Sequence, residues 1–183
     1  NGQSYEFYIS AHNAAGAGVG SSVVTAVPYT IPNAPTGLVA EPGNGMITLN
    51  WTAPNFNGGR AIDYYIIYQD GVDIRHIAGL STVITGLVNG QSYEFSVSAH
   101  NLAGEGLSSS TSSAIPYTYS NAPTGLNGAA GFANVTLNWT VPAFDGGRPI
   151  DYYVVYQNGT IITQVIETSV TITGLVNGVE YQF

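Results

Sequence analysis

The heptapeptide NGQSYEF begins this 183-residue chain, recurs unchanged at 89–95, and recurs as NGVEYQF at 177–183. Successive copies are 88 residues apart. Other segments keep the same spacing without insertion or deletion: NAPTGL at 33 and 121, LNWT at 49 and 137, and ITGLVNG at 84 and 172. A fixed long period is the signature of a repeat protein. One structural unit is therefore 88 residues long, and the fold must be one that a segment of this length can complete.

The period also sets the expected domain boundaries. Residues 1–29 correspond to the last part of one unit, residues 30–118 to a complete unit, and residues 119–183 to the first part of another. Because neither terminal segment holds a whole unit, we expect the chain to be a slice of a longer array. The segments that join the units, at 27–38 and 115–126, contain prolines and no flexible Gly/Ser tract. Neighbouring units are therefore expected to keep a fixed relation.

The composition excludes several stabilisers and partners. The chain contains neither cysteine nor lysine, which excludes disulfides, thiolate metal sites, a cysteine nucleophile and lysine isopeptide crosslinks. Its three arginines stand against eleven acidic residues. The net charge of −8 argues against nucleic acid or an anionic membrane surface as a partner, because both require a basic patch. No run of about 18 apolar residues predicts insertion into a membrane.

Alternation of apolar and polar residues predicts short strands. In MITLNW at 46–51, Ile47, Leu49 and Trp51 fall on one face of the chain. Comparable β-branched or aromatic segments follow, each bounded by Gly, Asn or Pro: 62–69, 73–77, 82–85, 92–100 and 112–117. With a first strand near 38–40, the unit holds about seven strands. This pattern predicts an all-β fold arranged as a β-sandwich.

The order of these elements resembles a fibronectin type III domain. The resemblance rests on PTGL, LNWTAP, AIDYYIIYQ and ITGLVNGQSYEFSVSAHNLAGEG, which follow one another between residues 35 and 106. It implies immunoglobulin-like sandwiches in tandem, closer to prokaryotic members than to animal fibronectin. It also implies core positions for a strand-B tryptophan, a strand-C tyrosine and a corner tyrosine before strand F: Trp51 and Trp139, Tyr65 and Tyr153, and Tyr5, Tyr93 and Tyr181.

The resemblance assigns strands to the three segments. Residues 1–29 supply strands F and G of one unit, and residues 30–118 form a complete unit. Residues 119–183 supply strand A through the start of strand F of a further unit. The terminal segments then each lack half a core, so head-to-tail completion by other copies or by further repeats of the same unit is expected.

The outward phase of strand C carries a row of large side chains: Tyr64, Ile66 and Tyr68, and one period later Tyr152, Val154 and Tyr156. The four tyrosines of this row form a candidate ligand or interface face for glycans or surface proteins. Packing across an antiparallel sheet explains the same row without a ligand. Four asparagines begin N-x-[ST] sequons and are candidate glycan acceptors: Asn50, Asn134, Asn138 and Asn158.

Catalytic constellations are not apparent in the sequence. Of the three histidines, at 12, 76 and 100, the first and last are equivalent positions near the end of strand F, and no second His or carboxylate cluster lies at metal-binding spacing within that strand. Asp63 and Asp151 lie near Arg60 and Arg148, which predicts local ion pairs or turn contacts rather than an acid pair. Neither a nucleophile elbow nor a glycine-rich phosphate loop is present. We therefore expect no enzyme activity, no metal and no cofactor.

These observations predict a structural role. The chain is expected to be extracellular and to form a stiff rod or filament at a prokaryotic cell surface. The alternative is a binding role, either as an adhesin or as a carbohydrate-binding or accessory module of a secreted polysaccharide-degrading enzyme.

Overall fold

The computed structural model describes residues 1–183, and every regular element is a β-strand, which confirms the all-β prediction. The strands in chain order are β1 Tyr5–Phe7, β2 His12–Asn13, β3 Gly16–Ala17, β4 Val24–Ala26, β5 Thr36–Gly43, β6 Met46–Thr52, β7 Tyr64–Gln69, β8 Val72–Ile77, β9 Ser81–Thr85, β10 Tyr93–Asn101, β11 Gly104–Glu105, β12 Ser112–Ala114, β13 Thr124–Gly131, β14 Asn134–Thr140, β15 Tyr153–Gln157, β16 Thr160–Val165 and β17 Ser169–Thr173. None of the elements is a helix able to cross a membrane.

Packing divides the chain into two compact units. The first comprises Asn1–Pro42, Met46–Leu87 and Ser92–Ala114. The second comprises Gly43–Gly45, Val88–Gln91 and Ile115–Phe183. This division does not follow the three repeat segments, whose boundaries stay a prediction from the sequence.

The first unit contains a two-sheet sandwich. One sheet has the strand order β5, β6, β9, and the other has the order β8, β7, β10, with both β11 and β12 paired to β10. Each of the seven strands predicted for the complete repeat overlaps an observed strand, and β11 is an additional short one.

The apolar phase of β6 fills the space between these sheets. Ile47, Leu49 and Trp51 are buried while the residues between them are partly exposed, as period-2 alternation requires. They join buried residues of β7 and β10 in one core cluster. The indole of Trp51 meets the ring of Tyr65 edge-on, with centroids 5.7 Å apart.

The second unit repeats part of this arrangement. β13, β14 and β17 form one sheet, and β15 pairs with β16 alone. The equivalent strand of the first unit, β7, pairs on its other side with β10. Because β15 has no such strand beside it, apolar side chains of this unit line an open groove of about 370 Å³.

The first 26 residues form paired strands that lie outside the core cluster. β1 pairs with β4, and β2 pairs with β3. Tyr5, which the resemblance assigned to a core, is 46% exposed because β4 is the single strand next to β1. Phe7 and Ile9 are exposed as well.

Candidate functional site

The outward tyrosine row of β7 is covered by its own neighbours. The ring of Tyr64 stacks between the imidazoles of His76 and His100, with centroids 4.9 Å and 4.5 Å away and planes within 8° of parallel. Each imidazole also faces a carboxylate. His76 Nε2 lies 2.8 Å from Asp73 Oδ2, and His100 Nδ1 lies 3.6 Å from Asp63 Oδ2. Both faces of the Tyr64 ring are therefore occupied by protein.

Hydrogen bonds hold the next tyrosine of the row. The hydroxyl of Tyr68 donates to Oε1 of Glu105 over 2.6 Å, and the hydroxyl of Ser98 donates to the same oxygen over 2.6 Å. The bond to Glu105 raises the pKa of Tyr68, and burial of the phenol raises it further. The polar groups of this network satisfy one another, so they do not require a ligand.

The burial of Ile66 differs from what its position in the sequence predicts. It was placed on the outward phase, yet it is buried, although it is not part of the core cluster. The reason is the register, because Ile66 pairs with His76 on one side and with Ser98 on the other. The side chains of the two neighbouring strands close over it.

The equivalent row of β15 is open. Tyr152 and Tyr156 are each about half exposed. The aromatic pairs of the structure include Tyr64 but not Tyr152. Gln164 stands where the stack of the first unit has His76. The candidate face of four tyrosines therefore consists of two packed tyrosines and two exposed ones.

The tryptophan and tyrosine positions assigned to the core differ in their burial. Trp51, Tyr65 and Tyr93 are buried in the core cluster, and burial raises the pKa of Tyr65. Trp139 and Tyr153 keep the edge-on contact, with centroids 5.4 Å apart, but line the open groove.

The corner tyrosine of the last repeat bonds to the turn that precedes it. The hydroxyl of Tyr181 accepts a hydrogen bond from the backbone nitrogen of Val176 over 3.1 Å. It thereby satisfies a backbone donor in the turn before its own segment.

The arginines do not bind the aspartates to which the sequence assigned them. The guanidinium of Arg60 lies over the ring of Tyr29 at 5.0 Å, and that of Arg148 lies over the ring of Tyr117 at 4.3 Å. A guanidinium is attracted to the electron-rich face of a ring while its edges stay in water. The two tyrosines come from the segments that join successive repeats. Spacing within one repeat does not reveal that they are the partners of the arginines.

Around Arg60, backbone groups from two repeats meet; we call residues 1–2, 28–30 and 56–60 the first junction. The nitrogen of Gly2 donates to the carbonyl of Pro28, and the nitrogen of Thr30 donates to the carbonyl of Gly58, both over 2.8 Å. A Cβ added at Gly59 would lie 2.5 Å from the nitrogen of Gly2. Real Cβ atoms do not approach backbone so closely, and φ at Gly59 is +85°. This position therefore requires glycine.

The same contacts recur 88 residues later in the second junction, formed by residues 89–90, 116–118 and 144–148. The nitrogen of Gly90 donates to the carbonyl of Pro116 over 2.9 Å, and that of Thr118 donates to the carbonyl of Gly146 over 2.8 Å. A Cβ at Gly147 would lie 2.6 Å from the nitrogen of Gly90. Each junction lies inside one of the two compact units.

The remaining candidate residues are dispersed. Of the sequon asparagines, Asn138 and Asn158 are exposed, whereas Asn50 and Asn134 are partly buried. The side-chain oxygen of Asn158 accepts from the backbone nitrogen of Gln182. No group of three or more His, Asp or Glu side chains is close enough to hold a metal ion.

A two-sheet sandwich with an edge-on Trp–Tyr core pair, and the recurrence of that pair 88 residues later, define an immunoglobulin-like repeat protein. The chain belongs to the fibronectin type III family: the model described as "Fibronectin type III domain" matches residues 33–115 and 121–183. This match confirms the resemblance drawn from the sequence.

Similar curated proteins are much longer than this chain. A Kelch domain-containing protein of Saccharolobus solfataricus is 31% identical over 176 residues, which cover 90% of this chain and 24% of that protein. Exoglucanase B of Cellulomonas fimi is 27% identical, covering 84% of this chain and 15% of the enzyme. Chitinase A1 of Niallia circulans is 29% identical, covering 84% of this chain and 24% of the enzyme. The chain thus spans about a quarter or less of these relatives.

Proposed function

We propose that the chain is a non-catalytic spacer of an extracellular protein at a prokaryotic cell surface, in which each fibronectin type III repeat is held in a fixed relation to the next. The observation that carries this proposal is the junction, which recurs with the same bonds 88 residues apart. A stiff rod or filament is the form that such a spacer would take if the junction recurred along a longer array.

Three features of the junction favour a fixed relation. Two backbone hydrogen bonds connect the joining segment to the neighbouring loops, and the guanidinium of Arg148 covers Tyr117 within that segment. Gly147 and Gly90 approach so closely that no side chain fits between them. Prolines restrict the segment itself, unlike the Gly/Ser tracts of flexible linkers.

The second candidate is a binding role, as an adhesin or as an accessory module of a polysaccharide-degrading enzyme. The similarity to segments of an exoglucanase and a chitinase favours it. Tyr64 does not favour it, because sugars bind aromatic platforms through the open ring face and both faces of this ring are covered. Tyr152 and Tyr156, which are about half exposed, are the tyrosines left for such a role. Cosedimentation with insoluble cellulose and chitin separates the two roles: we expect no retention, and saturable retention would favour the accessory role.

Pulsed electron-spin distance measurement tests the spacer directly. Because the chain lacks cysteine, nitroxide labels at Ser113→Cys and Thr173→Cys are unique, and they stand in the repeats before and after the second junction in the sequence. We expect a narrow distance distribution in the parent and a broad one after Gly147→Ala. Gly159→Ala is the matched control, since φ is +78° there but nothing lies within 4 Å of an added Cβ. A broad distribution in the parent would overturn the proposal.

A further inference from the structure

One edge of the second unit is a strand with a neighbour on one side alone. β17 is the outermost strand of the sheet β13, β14, β17, and it pairs with β14. The equivalent strand of the complete repeat, β9, is outermost in the same way. The free edge of β17 therefore belongs to the fold of the repeat. Such an edge presents unpaired backbone N–H and C=O groups, onto which another strand can add.

The ladder between β17 and β14 shows which backbone groups face the free edge. The nitrogen of Trp139 donates to the carbonyl of Thr168 over 3.0 Å, so these two residues form a bonded pair. Bonded pairs alternate along an antiparallel ladder, which directs the backbone groups of Val170 and Ile172 toward β14. Three residues of β17 therefore point their N–H and C=O groups away from the sheet: Ser169, Thr171 and Thr173.

In the complete repeat, an arginine covers the same edge. Nη1 of Arg75, in β8, donates to the carbonyl of Val83 over 2.9 Å and to the hydroxyl of Thr82 over 3.0 Å. Val83 is the equivalent of Thr171, so the covered carbonyl is one that faces the free edge. A charged side chain over an outermost strand keeps other strands from pairing with it. The equivalent of Arg75 is Thr163, which is short and uncharged, so β17 lacks this cover.

The sequence of β17 matches itself when it is read in the opposite direction. SVTIT has a hydroxyl residue at each end, a β-branched apolar residue inside each end, and Thr171 at the centre. A twofold axis at Thr171 would place Ser169 opposite Thr173 of a second copy, and Val170 opposite Ile172 of that copy. Hydroxyl side chains then meet on the outer face and apolar side chains on the inner face, as in favourable cross-strand pairs.

The charge and the hydroxyl groups of this edge also suit a second copy. β17 carries no charged residue, although the net charge of the chain is −8. Glu167, the nearest acidic residue in the sequence, would lie beside Leu175 of the second copy rather than beside Glu167 of that copy. Hydroxyl pairing already occurs on this face, where Oγ1 of Thr171 lies 3.0 Å from Oγ1 of Thr136 in β14.

We infer that two copies of this chain associate through β17, antiparallel and about a twofold axis at Thr171, so that two three-stranded sheets become one continuous sheet. Each strand uses the same surface as its partner, so the contact is isologous and closes at two copies. The residues that face the free edge would exchange backbone hydrogen bonds across it. The inference joins two chains side by side, which goes beyond the spacer role and does not depend on it.

Sedimentation velocity of the full chain over a range of concentrations tests the inference. We expect a reversible equilibrium between a species of 19.1 kDa and one of twice that mass. Because a single strand edge buries little area, the dimer should form at high protein concentration. A parent that stays monomeric up to its solubility limit, or that forms species larger than a dimer, would overturn the inference.

A proline at the centre of the edge removes one donor from the contact. Thr171→Pro loses the N–H that faces the free edge, whereas the bonds between β17 and β14 remain. It should weaken dimerisation by roughly tenfold, because each copy loses one backbone bond. Val83→Pro is the matched control, since it makes the same change on β9, whose edge Arg75 covers. Urea unfolding checks that both variants fold, and equal weakening by the two would overturn the inference.

A second variant covers the edge without changing β17. Thr163→Arg places an arginine in β16 where the complete repeat has Arg75. It should reach the carbonyl of Thr171 and weaken dimerisation as the proline does. Thr160→Arg is the control, because Thr160 is exposed in the same strand and stands where the complete repeat has Val72. Dimerisation of Thr163→Arg as strong as that of Thr160→Arg would contradict a contact at this edge.

A cysteine on the proposed axis tests the register. Bonded residues of an antiparallel pair have Cα atoms about 5.5 Å apart, and disulfides span about 4.4–6.8 Å. Because the chain lacks cysteine, Thr171→Cys should form a disulfide-linked dimer under mild oxidation. Ser169→Cys would face Thr173 of the second copy, so it should cross-link far more slowly. Equal rates for the two variants would overturn the axis at Thr171. The spin-label distances are measured on dilute monomer, so they report on the spacer role separately.

Discussion

Tyr64 and His100 stack face to face on neighbouring strands, with ring centroids 4.5 Å apart and planes 8° from parallel. His76 covers the opposite face of the same ring. A tyrosine that stands on the outer phase of a strand thus belongs to a three-ring stack across β8, β7 and β10. The stack joins the strands of one sheet on the side away from the core.

Removal of the Tyr64 ring is expected to destabilise the repeat. Each aromatic pair contributes about 0.5–1.5 kcal/mol beyond its buried area, so Tyr64→Ala should cost about 1–3 kcal/mol in the free energy of unfolding. Tyr119→Ala is the control, because Tyr119 is almost fully exposed and should leave the urea midpoint unchanged. Equal midpoints for Tyr64→Ala and the parent would contradict a stabilising stack.

Trp51 is expected to be the most costly position of the core. The residue is 6% exposed and packs among residues of both sheets. Trp51→Ala should cost about 3–5 kcal/mol, as other large-to-small core changes do. Nε1 of Trp51 makes no hydrogen bond, so Trp51→Phe should lose packing alone and cost less. Urea unfolding followed by circular dichroism measures both, and a smaller loss for the alanine variant than for the phenylalanine variant would contradict this ranking.

The sequence predicts the parts of this fold that depend on periodicity. Alternation places Ile47, Leu49 and Trp51 inward, and the 88-residue spacing predicts which segments share a structure. Ile66 was assigned to the outer surface because alternation tells which face a side chain occupies, not what covers it. Its burial depends on the register that brings His76 and Ser98 alongside, and register is a property of paired strands.

The junction illustrates a second limit of prediction from the sequence. In the sequence, Arg60 and Arg148 stand out only as arginines near aspartates, and nothing marks Gly59 and Gly147 as contacts between repeats. The actual partners of Gly59 and Arg60, which are Gly2 and Tyr29, belong to the preceding repeat. Local spacing carries no information on contacts between repeats. The recurrence of tyrosine and arginine at 29, 60, 117 and 148 was the one available signal.

Alkaline pH is expected to weaken the first unit through Tyr68. Its folded pKa is raised above the ordinary value of 10.0, first by the bond to Glu105 and then by burial. The neutral phenol is therefore favoured in the folded state. This contribution is complete below pH 10 and is lost as the pH rises through the folded pKa. The urea midpoint should therefore be lower at about pH 11 than at about pH 9, because the phenol of the unfolded chain ionises near its ordinary pKa of 10.0 while that of the folded chain stays neutral.

The matched variant for this titration is Tyr68→Phe. It removes the ionisable hydroxyl, so the fall in its midpoint between the two pH values should be smaller than in the parent. It also loses the bond to Glu105, so its midpoint at pH 9 should already lie below that of the parent. An equal fall in both proteins would assign the alkaline loss to other groups.

Asn101 is expected to stabilise the first unit through three hydrogen bonds. Its side chain is fully buried at the end of β10, where Nδ2 donates to the carbonyls of Thr30 and Asn57, both over 2.8 Å, and Oδ1 accepts from the nitrogen of Ala103. Asn101→Ala leaves these backbone groups without their partner and should cost about 2–4 kcal/mol, at about 1 kcal/mol or more for each bond.

An aspartate at position 101 tests the contribution of the hydrogen bonds separately from that of side-chain volume. Asn101→Asp keeps the size of the side chain and the acceptor for Ala103, but it places a carboxylate oxygen against two carbonyls in a buried site. It should therefore destabilise at least as much as the alanine variant at pH 7 and recover in part when acid protonates the carboxylate. The control is Asn13→Asp, because Asn13 is the exposed equivalent whose Oδ1 accepts only from Ala15. If urea midpoints showed Asn101→Asp to be as stable as the parent, the donor role of Nδ2 would be wrong. The carbonyls of Thr30 and Asn57 would then need another hydrogen-bond donor.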